Sequence, residues 1–229
     1  MPENKLLAFD TSTEVLSVAV RHGERLLAHD APGGAQASAT LIPLIRRLLG
    51  EAGLALAELD AIAFGRGPGS FTGLRTACAV AQGLGFGAGV PVLPVDSLHA
   101  VAEEARHRFG ALRVVSVLDA RMEQVYAAQY AFDGSAADSA PRLLAPEELV
   151  VPAGWVLAGN AFAAYGDRLP PAAGRHEALP SAQAMLRLAP GLLAAGHAVA
   201  AQDAMPLYVR DKVAQTTAER AAAAVAKPP

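Results

Sequence analysis

"KLLAFDTSTEVLSVAVRHGERLLAHD", Lys5 to Asp30, decides the reading of the whole chain. Leu6, Leu7, Ala8 and Phe9 form an unbroken apolar run, as expected of a strand covered on both faces. The run ends in Asp10 and the polar turn Thr11-Ser12-Thr13. Leu16, Val18 and Val20 then alternate with Ser17, Ala19 and Arg21, the period of two that predicts a half-buried strand. His22-Gly23-Glu24 supplies a tight turn into a third strand, which makes a β-meander.

The same order returns in "RVVSVLDARMEQVYAAQYAFDG", Arg113 to Gly134. An apolar strand, Val114 to Leu118, again ends in an aspartate, Asp119, followed by a turn and an alternating strand, Val125 to Phe132. Downstream of each copy an apolar strand runs into glycine, "LDAIAFGRGPGS" in the first half and "GWVLAGNAFAAYG" in the second. A repeat this long is no solenoid. It predicts one α/β unit used twice, with two lobes around a cleft: residues 1–100, residues 101–213 and a disordered tail over 214–229. The helix Ser97 to Gly110 marks the boundary.

The connecting segments read as helices. Ser38 is the expected cap of a helix through Leu49, Ser70 or Thr72 caps one running toward Gly89, and Ser97 caps a third. Ser181 to Ala195, which contains Pro190, is expected as a helix of the second lobe.

Composition narrows the function classes. With 52% hydrophobic and 18% charged residues the chain is expected to pack as a globule. A formal net charge of -3 and the lack of a Lys/Arg cluster argue against unaided nucleic-acid binding. Cys78, the only cysteine, sits among apolar neighbours and reads as a small buried hydrophobe. The start of the sequence lacks a signal-peptide pattern, and the most apolar region, Ala77 to Val95, is broken by Gln82, Pro91 and Pro94. A cytoplasmic protein without a membrane span is expected.

"AFGRGPGSFTGLR", Ala63 to Arg75, carries four glycines between two apolar segments and raises the question of a phosphate site. It lacks the Gly-Lys-Ser/Thr ending of a Walker loop, and the chain has no G-x-G-x-x-G. Two readings stand. Backbone N–H groups of Gly67, Gly69 and Ser70, with Asp10, Thr11, Arg66 and Arg75, form a nucleotide site of an actin-like ATPase or phosphotransferase. Alternatively, the glycines only permit a tight strand-to-helix crossover, and Asp10 accepts hydrogen bonds from the turn that follows it. Asp119 faces a turn without hydroxyls, Ala120-Arg121-Met122. No pair among the six histidines has the spacing that puts two metal ligands on one helical face, Glu103 and His107 are expected as a surface pair, and G-x-S-x-G is absent.

Two helices look built for a neighbour. Gly73, Ala77, Ala81 and Gly85 recur every four residues as a ridge of small side chains. Leu41, Leu44, Ile45 and Leu48 form one stripe, with Ile42 and Leu49 on an adjoining face. The expected contact residues are Leu41, Ile42, Ile45, Leu49, Gly73, Thr76, Ala77, Val80, Ala81 and Leu84; the alternative packs the ridge onto its own sheet.

The segments "LLAFDTSTEVLSVAV", "AFGRGPGSFTGLRTACAVAQGL", "VPVLPVDSL", "LDARMEQVYAAQY" and "PLYVRDKVA" stand in the order seen in the bacterial TsaB (YeaZ) family, and the resemblance runs from Leu6 to about Ala214. It implies a two-lobed actin/Hsp70/sugar-kinase (ASKHA) fold with duplicated ribonuclease-H-like lobes. It implies a part in making N6-threonylcarbamoyladenosine beside the anticodon of tRNAs that read codons beginning with A. In that role the chain is a non-catalytic scaffold, without a cofactor or metal of its own. Its implied partners are the catalytic paralogue TsaD, docked through the two helices above, the ATPase TsaE, and tRNA through the complex. ATP or ADP is held, if at all, by the assembly, and self-association replaces TsaD when that paralogue is missing. The metal-binding H-x-x-x-H of TsaD is absent here. One departure shows: Ala37 stands where relatives commonly carry a histidine.

Overall fold

The structure, a computed structural model, describes residues 4–210; the tail expected over 214–229 lies outside them. Strands β1 (Lys5–Asp10), β2 (Val15–His22) and β3 (Arg25–Pro32) form the antiparallel meander. Strands β4 (Ala61–Gly67) and β5 (Val92–Asp96) add in parallel on the other side of β1, giving the order β3-β2-β1-β4-β5. The second sheet repeats this with β6 (Arg113–Arg121), β7 (Gln124–Ala131), β8 (Arg142–Leu144), β9 (Val156–Gly159) and β10 (Arg175–Glu177). Its order, β10-β9-β6-β7-β8, matches the first sheet strand for strand. The duplication is therefore real, and the fold is the two-lobed α/β arrangement expected.

Helices α1 (Ala37–Ala52) and α2 (Phe71–Ala88) cover one face of the first sheet. The other face is covered by α5 (Ala182–Ala194), which packs Met185, Leu186 and Ala189 against Leu6, Ala8, Ala19 and Ala63. Helix α5 was expected in the second lobe; instead the chain returns to the first. That return corrects the reading of β2 as well. Ser17 and Ala19 are buried rather than solvent-facing because α5 lies over them, and Ser17 Oγ accepts the N–H of Ala182 (2.9 Å). Helix α3 (Ser97–Phe109) sits between the sheets, and the short α4 (Phe162–Tyr165) follows β9.

A buried ion cluster fixes α5 to α3. Glu103 is enclosed and binds Arg106 and Arg187, while Arg187 also binds Glu104 (2.8 Å). Burial pushes the Glu103 carboxyl up, but the two guanidinium groups outweigh it and hold the group below its ordinary range. The expected Glu103–His107 surface pair does not form. Cys78 is buried, its Sγ 3.4 Å from the Ala204 carbonyl, as its neighbours implied.

The cap assignments differ in detail. Helix α1 starts after Gln36, so Ser38 lies inside it and exposed, and Ser70 precedes α2 without a side-chain cap bond. Ser97 is already the first residue of α3, and its hydroxyl is used elsewhere. Ser181 does cap α5, accepting from the Ala184 N–H (3.0 Å). No helix of the described residues is long and apolar enough to cross a membrane.

Candidate functional site

Asp10 closes β1 at the centre of the first lobe and is 0% exposed. Its Oδ1 accepts the backbone N–H (2.7 Å) and the hydroxyl (2.6 Å) of Ser12, and its Oδ2 accepts the hydroxyl of Ser97 (2.9 Å). The carboxylate thus stitches the turn after β1 to the start of α3. Burial pushes its pKa up, and the hydrogen bonds from Ser12 and Ser97 oppose that. A β-carbon on Gly65 would fall 1.8 Å from Oδ2, so β4 approaches the aspartate too closely for any side chain there. Nothing of this carboxylate reaches solvent.

The glycine loop is filled by its own chain. A β-carbon on Gly73 would lie 1.9 Å from the Thr11 carbonyl, and one on Gly69 would lie 2.5 Å from the Ser12 carbonyl. Thr11 Oγ1 donates to the Gly73 carbonyl (2.7 Å), and the Ser70 N–H donates to the Ser12 carbonyl (2.7 Å). The glycines let the start of α2 press against the turn after β1, so close approach, not a phosphate, accounts for them. Of the nucleotide candidates, Asp10, Thr11 and Gly67 are buried; only Gly69 and Ser70 face open space. Arg66 is paired with Asp96, and Arg75 lies over the Phe71 ring (3.8 Å to its centroid).

That open space is a cleft of about 440 Å³ between the lobes. The first lobe contributes Thr13, Glu14, Ser70 and Phe71; the second contributes Asp119, Arg121, Met122, Tyr126 and Asn160. Asp119 is not the equivalent of Asp10. It accepts from the Arg121 N–H (2.7 Å) and the Tyr165 hydroxyl (2.8 Å), and it pairs with the Arg121 guanidinium (3.0 Å) at the cleft wall. Burial, then the bond to Asp119, pushes the Tyr165 hydroxyl up to about 12. The hairpin that follows is strained: Arg121, Met122 and Glu123 have φ of 60°, 54° and 61°. Each such non-glycine residue costs roughly 1–2 kcal/mol.

The two helices divide the expected contact residues. Leu41, Ile45, Leu49, Gly73, Ala77 and Ala81 are buried in the first lobe's own core, so they cannot touch a partner directly. The physical reason is that the small-residue ridge lets α2 lie close over β4; Gly85 likewise faces Val92. Ile42 (43% exposed), Thr76, Val80 and Leu84 remain accessible. Val80 and Leu84 are only partly so, since they also pack against the first lobe's core, whereas Ala79, Gly83 and Phe86, which is 79% exposed, lie on the outer side of α2.

Sequence reasoning missed Phe86, Tyr165, Asn160, Tyr208 and Arg210. Phe86 stands between Gly85 and Gly87, a large apolar residue among glycines and a signal available in the sequence. The others acquire their roles only through contacts more than 40 residues apart: Asn160 Oδ1 accepts the Asp119 N–H (2.9 Å), and Arg75 donates to the Tyr208 hydroxyl (3.1 Å). Ala37 is buried in the first core.

The family model described as TsaD: tRNA N6-adenosine threonylcarbamoyltransferase matches residues 28–218. The tRNA threonylcarbamoyladenosine biosynthesis protein TsaB of Escherichia coli is 34% identical, covering 92% of this chain and 96% of that one. The protein of the same description from Haemophilus influenzae is 37% identical, covering 91% and 94%. The solved structure of YeaZ from Pseudomonas aeruginosa is 42% identical, with a TM-score of 0.84 over 90% of this chain and 99% of that one.

Proposed function

The chain belongs to the TsaB (YeaZ) family, and from that premise we propose that it serves tRNA threonylcarbamoyladenosine biosynthesis as a non-catalytic docking subunit for a TsaD-type paralogue. A TsaE-type ATPase and tRNA join through that complex, and a second copy of the chain takes the paralogue's place when it is missing. The observation that carries this reading is the outer face of α1 and α2. Ile42 and Phe86, with the part-exposed edges of Val80 and Leu84, present apolar surface beside the small Ala79 and Gly83, which let another helix come close. The enclosed Asp10 and Thr11 support the non-catalytic half of the proposal, since of the ATPase reading's loop and turn residues only Gly69 and Ser70 reach the cleft. Binding to the purified paralogue by calorimetry tests it: Val80→Asp and Phe86→Asp are expected to weaken docking at least tenfold while leaving the far-ultraviolet spectrum unchanged. Unchanged affinity in both variants would place the interface elsewhere.

A further inference from the structure

We propose that Leu207–Arg210 is an interlobe latch that holds the cleft closed by clamping the strained Arg121–Glu123 hairpin. At one end the strap is fixed to the first lobe. The Leu207 N–H donates to the Arg66 carbonyl (2.7 Å), the Arg75 guanidinium donates to the Tyr208 hydroxyl (3.1 Å), and the Tyr208 ring lies 5.2 Å from that of Phe71. Three residues later the strap holds the second lobe. Arg210 Nη2 donates to the carbonyls of Ala120 (2.9 Å) and Arg121 (3.4 Å), its Nη1 lies 3.3 Å from Met122 Sδ, and Val209 packs against the second lobe's core.

Three residues span at most about 11 Å when fully extended, so the strap has little slack and the lobes cannot part without breaking one of its ends. The Arg210 contacts meet the chain where it enters the run of three positive φ values. A guanidinium has rigid, planar donors that can serve adjacent carbonyls together. Its removal takes away the tie between those carbonyls and the strap and frees the hairpin to relax toward ordinary backbone angles. Asp119 and Arg121, which form one wall of the cleft, move with it. This inference is independent of where a partner docks.

Hydrogen exchange of the full chain, read by mass spectrometry, tests the latch. Arg210→Ala is expected to speed exchange of the amides of residues 119–126 by about tenfold or more while those of β1 and β4 stay unchanged. In the Arg210→Ala background, Met122→Gly is expected to restore the rates to within about threefold of the parent, because glycine takes a positive φ without steric penalty. Unchanged exchange in Arg210→Ala, a rise spread evenly over both lobes, loss of the fold, or no rescue by Met122→Gly would each overturn the latch.

Discussion

Asp10 receives three hydrogen bonds and touches no solvent, so its role is to join β1 to α3. Asp10→Asn keeps an acceptor for Ser12 and is expected to fold and to leave partner function intact. Asp10→Ala strands two hydroxyls and an N–H, and is expected to lose about 1–3 kcal/mol in urea unfolding. Tyr130 presents the opposite case. Its hydroxyl is buried without a partner among the described residues, and burial pushes its pKa far up. Tyr130→Phe removes an uncompensated desolvation and is expected to be neutral or to stabilise by about 1 kcal/mol. The ring beside it, His99, stacks on Tyr130 (4.7 Å), and burial pulls its pKa below the ordinary value, with Asp96 and Glu103 only partly opposing. The unfolded chain then binds a proton near pH 6.5 that the folded chain refuses, so His99 makes stability fall as pH drops below about 6.5. Comparing unfolding midpoints at several pH values in wild type and His99→Phe isolates this component; identical pH profiles would show that His99 carries none of it.

At the scale of elements, the two faces of α2 behave differently under substitution. Ala77→Phe drives a ring into the contact between α2 and β4, and is expected to destabilise by about 1–3 kcal/mol or more, read as a lowered melting temperature. Phe86→Asp on the outer face should change stability little. The four-residue spacing of Gly73, Ala77, Ala81 and Gly85 was plain in the sequence, but spacing says only that one face is smooth. Which face meets the sheet is settled by Gly73 against Thr11 and Gly85 against Val92, contacts between distant positions. For the same reason the unbroken apolar run of β1 announced two covered faces, whereas the alternation in β2 did not. Ser17 is polar and still buried because it receives the N–H of Ala182, 165 residues away. Serines before helices invited cap assignments, yet Ser97 spends its hydroxyl on Asp10. Local propensity was legible, and tertiary hydrogen bonds overrode it.

The molecule as a whole is one unit used twice, with matching strand orders around a cleft. The repeat of strand, aspartate, turn and strand made that architecture readable before any coordinate. The divergence of the copies was not readable from order alone: Asp10 became an internal stitch, while Asp119 turned to the cleft with Arg121 and Tyr165. The return of α5 ties it to α3 through Glu103, Arg106 and Arg187. Because Arg106 remains in place, Arg187→Ala is expected to cost up to about 3 kcal/mol, less than removing the sole partner of a buried charge. On the accessible side of α1 and α2, Ile42 and Phe86 are exposed. The most direct measurement is tRNA threonylcarbamoyladenosine formation in a mixture reconstituted from this chain, a TsaD-type paralogue, a TsaE-type ATPase and tRNA. The expected result is full modification with Asp10→Asn and almost none with Val80→Asp, both variants being folded; loss of modification with Asp10→Asn and its retention with Val80→Asp would contradict a subunit that docks rather than catalyses.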